Sequence, residues 1–150
     1  MSIWFTRPTP EELNDHASRS MVQHIGIRFL EVGDDYITAR MPVDERTIQP
    51  AGILHGGASV ALAETLGSVA ANLCVDNRQK VCVGLEINAN HIRSVRSGFV
   101  YGEARPVHMG GSTQLWEIRI RNQQDQLVCI SRLTIMVLQI EQPPHGLPSP

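Results

Sequence analysis

The sequence lacks any apolar run near the roughly 20 residues needed to cross a bilayer. Its opening, MSIWFTRPTPEELND, has neither the apolar stretch nor the cleavage site of a secretory signal, so a cytoplasmic location and no membrane partner are expected. Charge of one sign is also lacking. Thirteen Lys and Arg face 15 Asp and Glu, a net charge of -2, which gives no basic field to hold nucleic acid. The three cysteines (Cys74, Cys82, Cys129) are far apart, and no Cys-x-x-Cys occurs, which excludes a disulfide framework and a cysteine-rich metal site. Each lies in an apolar stretch, where cysteine serves as a small hydrophobe. Six histidines show no His-x-x-x-His spacing, so no metal is expected. Walker loop, Gly-x-Gly-x-x-Gly and Gly-x-Ser-x-Gly are missing, Ser59 and Ser68 have no nearby histidine suited to a triad, and no cofactor is expected. With three Phe and two Tyr, no deep aromatic cage is evident. No internal repeat or low-complexity block is visible.

What is present suits one ordinary domain: 150 residues, 42% hydrophobic and 19% charged, enough for a real core. Thr9-Pro10-Glu11-Glu12 starts a short helix, with a capping hydroxyl, proline in the first turn and acids at the positive end. That helix is expected to end near Ser20. Residues 25–32 and 36–43 read as strands around the turn Gly33-Asp34-Asp35, and 44–54 as a loop marked by charge, Pro50 and Gly52. The longest helical pattern runs from Gly57 to about Cys74, and four strands follow at about 80–93, 97–107, 113–122 and 127–140. Trp116, Ile118 and Ile120 alternate with Glu117, Arg119 and Arg121, one face inward and one in water. The last strand is apolar on both alternating sets and is expected to be central and covered on both faces. Residues 141–150 are proline-rich and expected to be a disordered tail after a 1–140 domain.

One long helix cannot cover both faces of six strands. An α+β fold with a curved antiparallel sheet packed round that helix is the natural solution. The helix is apolar around most of its circumference, which implies cover from a second subunit.

Four segments can carry chemistry. His55-Gly56-Gly57 opens the long helix, where free N–H groups at the positive end of the dipole suit an oxyanion or phosphate; the glycines equally suit a tight turn. Glu64 is the only charged residue between His55 and Asp76. A carboxylate in an apolar helix is costly unless paired or used. Ser68 and Asn72 share its stripe. At about 1.5 Å per residue, Glu64 lies roughly 12 Å along the axis from Gly56, too far for both to act on one small group within one helix. An antiparallel helix of a partner subunit would bring such a pair together. Asn88 to Arg96 sets His91, Arg93 and Arg96 at a strand end, as a phosphate grip or a solvated basic edge. Gly110-Gly111-Ser112-Thr113 reads as a hairpin turn or as a small-residue loop against a ligand.

Gln49-Pro50-x-Gly52-x-Leu54-His55-Gly56-Gly57, followed by Ala61-x-Ala63-Glu64-Thr65-x-Gly67-Ser68, resembles the hotdog-fold acyl-CoA thioesterases. The branch is that of 4-hydroxybenzoyl-CoA thioesterases with a helix glutamate, 1,4-dihydroxy-2-naphthoyl-CoA thioesterases and the enterobactin-pathway proofreading thioesterase. Gly84-Leu85-Glu86-Ile87-Asn88-Ala89-Asn90-His91 and Met41-Pro42-Val43-Asp44 look like it too, so the likeness spans about residues 3–140. It implies a homodimer or homotetramer with the site at the subunit boundary, cleaving an acyl-CoA or aroyl-CoA, or a carrier-protein thioester, to a free acid and thiol. By the same resemblance the Gly56 N–H serves as oxyanion donor, with His55 and Gln49 positioning the acyl group or carbonyl. Glu64 of the other subunit is nucleophile or general base, oriented by Ser68. The coenzyme A moiety would meet Gly84, His91, Arg93, Ser112 and Thr113. Ser94 and Gly111 stand where relatives often carry Pro and a basic residue, so the nucleotide grip is expected to be shifted. Ile53, Leu54, Leu62 and Val69 are candidate pocket walls. A non-catalytic acyl-CoA sensor and a hotdog dehydratase are the alternatives. The first calls for an appended DNA-binding segment, which is not seen here, and the second for a His–acid pair in another helix context.

Overall fold

The structure is a computed structural model and describes residues 1–141. The proline-rich segment from 142 on, expected as a tail, lies outside the described residues. Nine elements follow in chain order: α1 (Pro10–His16), α2 (Met21–His24), β1 (Arg28–Val32), β2 (Ile37–Pro42), α3 (Gly56–Leu73), β3 (Lys80–His91), β4 (Phe99–Met109), β5 (Thr113–Arg121) and β6 (Leu127–Gln139). The strands form one six-stranded sheet in the order β1-β2-β4-β5-β6-β3, antiparallel throughout. α3 packs on one face of that sheet, burying Leu62, Ala63, Leu66, Gly67, Ala70 and Ala71 against Val100, Trp116, Ile118 and Leu133. Each large aliphatic side chain so buried contributes about 1.5–3 kcal/mol.

Local chemistry explains the element boundaries. Thr9 caps α1 in a complete capping box with Glu12. The single helix expected to reach Ser20 breaks instead after His16. Arg19 takes a φ of 62°, and the Ser20 hydroxyl donates to the Ala17 carbonyl, so a serine competes for backbone the helix would use. The first strand starts at Arg28 rather than at residue 25, because Gly26 turns the chain at φ 81°. β5 keeps its expected alternation, with Trp116, Ile118 and Ile120 fully buried. β6 corrects an expectation. It lies inside the sheet, between β5 and β3, but only one face is fully buried: Cys129, Ser131, Leu133 and Ile135 face the core, while on the other Ile130, Thr134 and Met136 are half-buried and Arg132 is exposed.

Two features position the site. β3 is an edge strand whose outward residues Val81, Val83 and Leu85 are exposed. Its register against β6 slips between Gly84 and Glu86, a β-bulge at Leu85. In this register Cys82, Gly84, Ile87, Ala89 and His91 pair with the core-facing residues Val137, Ile135, Leu133, Ser131 and Cys129. The inner face of β3 therefore runs along α3. The second feature is the loop before α3. The Gln49 N–H donates to the Ile53 carbonyl, Ile48 bridges Leu54, and the His55 N–H donates to the carbonyl of Thr47, itself buried.

Candidate active site

Two clusters lie along the seam between α3 and β3. The first is at the N-terminus of α3. His55 is the N-cap, and its Nδ1 accepts from the Gly57 N–H at 2.8 Å. That bond requires an unprotonated Nδ1, so the imidazole proton sits on Nε2, on an exposed ring. The next amide back, that of Gly56, has no partner among the described residues. Gln49 folds its side-chain oxygen onto the Ala51 N–H at 2.6 Å, leaving its NH2 free to donate. His91 stands directly over Gly56: a methyl group there would lie 2.8 Å from His91 Nε2. Gln49, Gly56, His91 and Arg93 line one cavity of about 300 Å³, together with Ile53 and Leu54. This end of the seam is thus rich in donors, and none of its lining residues is a carboxylate.

The second cluster is two turns further along α3. Glu64 is half-buried, and the Ser68 hydroxyl donates to its Oε1 at 3.3 Å. Oε1 points at Gly84, where an added methyl would come within 2.6 Å. The site selects glycine at 84 for this close approach, and the bulge begins there. Ser68 also lines an apolar cavity of about 450 Å³ between α3 and the N-terminal helices, walled by Leu13, Val22, Phe29, Val69 and Leu73. Among the expected pocket walls, Val69 borders this cavity and Ile53 and Leu54 border the first. Leu62 is instead fully buried in the core.

The structure brings Gln49, His55, Gly56, His91 and Arg93 to one cluster and Glu64, Ser68 and Gly84 to the other. It does not join the clusters within one chain, since α3 holds Gly56 and Glu64 about 12 Å apart. Ser112 and Thr113 belong to neither. Ser112 sits in the β4–β5 turn and Thr113 opens β5, the turn being closed by the Gly110 N–H on the Thr113 carbonyl. Thr113 shares a row with Met136 and Val83, about 25 Å along β3 from His91. The thiols are not reagents: burial pushes Cys74 up to about 12 and also raises Cys82 and Cys129. Sequence reasoning missed that His91 packs on Gly56, because that contact depends on the register of β3 against the helix.

Known proteins decide the family. The thioesterase superfamily model matches residues 51–129. The chain belongs to that superfamily. A 1,4-dihydroxy-2-naphthoyl-CoA hydrolase of Escherichia coli is 53% identical over 136 residues, covering 91% of this chain and 99% of that one. A crystallised Pseudomonas aeruginosa thioesterase, carrying a glutamine-to-alanine substitution, is 50% identical with a TM-score of 0.91, covering 93% and 100%. A Staphylococcus aureus thioesterase is 36% identical with a TM-score of 0.77, covering 80% and 99%. It has been crystallised with a glutamate and, separately, a glutamine replaced by alanine. The fold is therefore the hotdog fold of this superfamily, and the protein is an enzyme that hydrolyses thioesters.

Proposed function

We propose that two copies of the chain build each active site, and that the site cleaves an acyl-CoA or aroyl-CoA to a carboxylic acid and free CoA. The observation that carries this reading is the separation of the two clusters. The donors at Gly56 and the carboxylate at Glu64 lie about 12 Å apart on one rigid helix, beside a sheet edge with no strand paired to it among the described residues. Antiparallel pairing of β3 with its counterpart turns one helix against the other. If Gly84 faces the partner subunit's His91, Glu64 comes opposite Gly56 of the partner subunit. Allowing for the bulge at Leu85, the twofold axis then passes at Asn88. The same pairing aligns the row of Thr113, Met136 and Val83 with the segment that carries Arg93 of the partner subunit, leaving three strand spacings, about 14 Å, between Thr113 and that segment. A homotetramer would add a second such pair.

The chemistry follows from the groups. The thioester oxygen accepts from the free Gly56 N–H, with the Gln49 NH2 and His55 Nε2–H as further donors that position the acyl carbonyl. Glu64 of the partner subunit attacks the carbonyl carbon directly, or takes a proton from an attacking water; the Ser68 hydroxyl holds its Oε1 in either case. The C–S bond breaks, the CoA sulfur leaves as thiolate and is protonated from solvent, and water supplies the oxygen of the released acid. The acyl group enters the apolar cavity beside Ser68, and the pantetheine arm passes Gly84 and His91. Carrier-protein thioesters present the same pantetheine arm and are candidate substrates. The S. aureus substitutions support the assignment: the replaced glutamine and glutamate are fifteen residues apart, as Gln49 and Glu64 are here. Three free cysteines suit a reducing, cytoplasmic setting.

The test is a panel of acyl- and aroyl-CoAs with detection of released thiol, run on the wild type and on Glu64→Gln. Wild type should release thiol above background. Glu64→Gln should lose about 10²–10⁴-fold in kcat and melt normally. Near-normal turnover by the variant removes Glu64 from the reaction.

A further inference from the structure

Asn72, one turn beyond Ser68 on α3, makes three hydrogen bonds that no expected catalytic residue explains. Its Nδ2 donates to the Ser68 carbonyl at 3.0 Å and to the Cys82 carbonyl at 3.0 Å, and its Oδ1 accepts from the Cys82 N–H at 2.9 Å. A side-chain amide that grips both the N–H and the C=O of one strand residue acts as a miniature neighbouring strand. The grip falls on the open edge of β3. Cys82 pairs with Val137, and Val137 sends its own N–H the other way, to the Ser112 carbonyl at 2.9 Å. The polar groups of Cys82 consequently face away from β6, and Asn72 fills the place a further strand would take.

The location ties this clamp to Glu64. On the helix side it holds the Ser68 backbone, whose hydroxyl donates to the Glu64 carboxylate. On the strand side it holds Cys82, two residues before Gly84, the residue on which Glu64 Oε1 rests. Helix and edge strand are locked together where the carboxylate lies between them. The clamp also ends the pairable edge. With Cys82 capped and β3 ending at His91, the stretch left open runs from Gly84 to His91, the span the twofold pairing uses.

We propose that Asn72 is a positioning residue for Glu64: it clamps edge strand β3 to α3 so that the carboxylate is held at Gly84, at the end of the open edge. The inference rests on the reading of Glu64 as the reacting carboxylate. Its experiment compares Asn72→Ala and Asn72→Asp with Glu64→Gln on the best thioester found, recording kcat, KM and the melting temperature. Loss of the clamp should lower kcat about tenfold or more in Asn72→Ala, since sub-ångström misplacement of a reacting group has effects of this size. KM should change less than kcat: Asn72 borders the apolar cavity beside Ser68, but its amide is spent on Ser68 and Cys82 rather than offered to the acyl group. Asn72→Asp keeps the acceptor for the Cys82 N–H and should fall between Asn72→Ala and wild type. Kinetics within about twofold of wild type for Asn72→Ala, or failure of both variants to fold, overturns the proposal, the second by making Asn72 a brace for the fold alone. If Glu64→Gln remains active, it is the reading of Glu64 that fails instead.

Discussion

The two clusters on α3 share one helix and one neighbouring strand, yet they are built in opposite ways. At the N-terminus the groups are donors left free: the Gly56 N–H, the Gln49 NH2 and the His55 Nε2–H, with the exposed His91 ring above them. Two turns on, the group is an acceptor already engaged, with Glu64 bonded to Ser68 and pressed on Gly84. A donor set without a base cannot hydrolyse a thioester, and a carboxylate without oxyanion donors forgoes about 3–4 kcal/mol of transition-state stabilisation. Each half lacks what the other holds, and a rigid helix keeps them apart. On the proposed reading, the contrast makes the functional unit larger than the chain.

Subunit mixing is the strongest way to break that comparison. Glu64→Gln damages the acid end and Gln49→Ala the donor end, so each homo-oligomer should lose most activity. When the two are unfolded together and refolded, each mixed dimer holds one site with both native halves and one with neither. Statistical assembly should restore about a quarter of wild-type turnover, from two preparations that are each nearly inactive. Activity that stays at the sum of the two separate preparations means that both halves act within one chain.

The sequence made much of this legible. α3 came within a residue of its expected ends, because an apolar helical pattern without proline is a strong local signal, and the alternation from Trp116 to Ile120 set the face of β5. Glu64 stood out because a lone carboxylate among alanines and leucines is expensive. Other features were beyond reach because they belong to the packing. Nothing in residues 72 and 82 announces a clamp, and nothing in His91 says which turn of helix its strand will pass. The N-terminal segment gave no periodic signal either, yet Trp4 stacks on Trp116 at 6.2 Å and donates its indole N–H to the Gly33 carbonyl. Such contacts depend on register and chain path, which local patterns do not encode.

Gly84→Ala sharpens the comparison from the acid end. The new methyl would lie 2.6 Å from Glu64 Oε1, and the carboxylate cannot yield without leaving Ser68. A kcat loss of about 10–10²-fold is expected from displacing a reacting group by an ångström or less. The melting temperature should change little, because residue 84 is exposed on an edge strand. An unchanged kcat means that the contact between Glu64 and Gly84 does not matter for turnover.

Gly56→Ala is the same change at the donor end, and it should cost least. The methyl meets the far end of an exposed imidazole at 2.8 Å, not an engaged carboxylate. Gly56 is helical and its φ is not positive, so alanine fits the backbone and lowers the entropy of the unfolded chain. The Gly56 N–H remains in place, and what is lost is the seat of the His91 ring. Pushing that side chain off its rotamer costs about 0.5–1.5 kcal/mol, a factor of about 2–10 in kcat/KM. Adding His91→Ala should then make the methyl nearly silent, so a cycle of the two single variants and the double variant isolates the contact. If Gly56→Ala abolishes turnover even without His91, the donor end is as rigid as the acid end, and the contrast between a free set of donors and a clamped carboxylate is wrong.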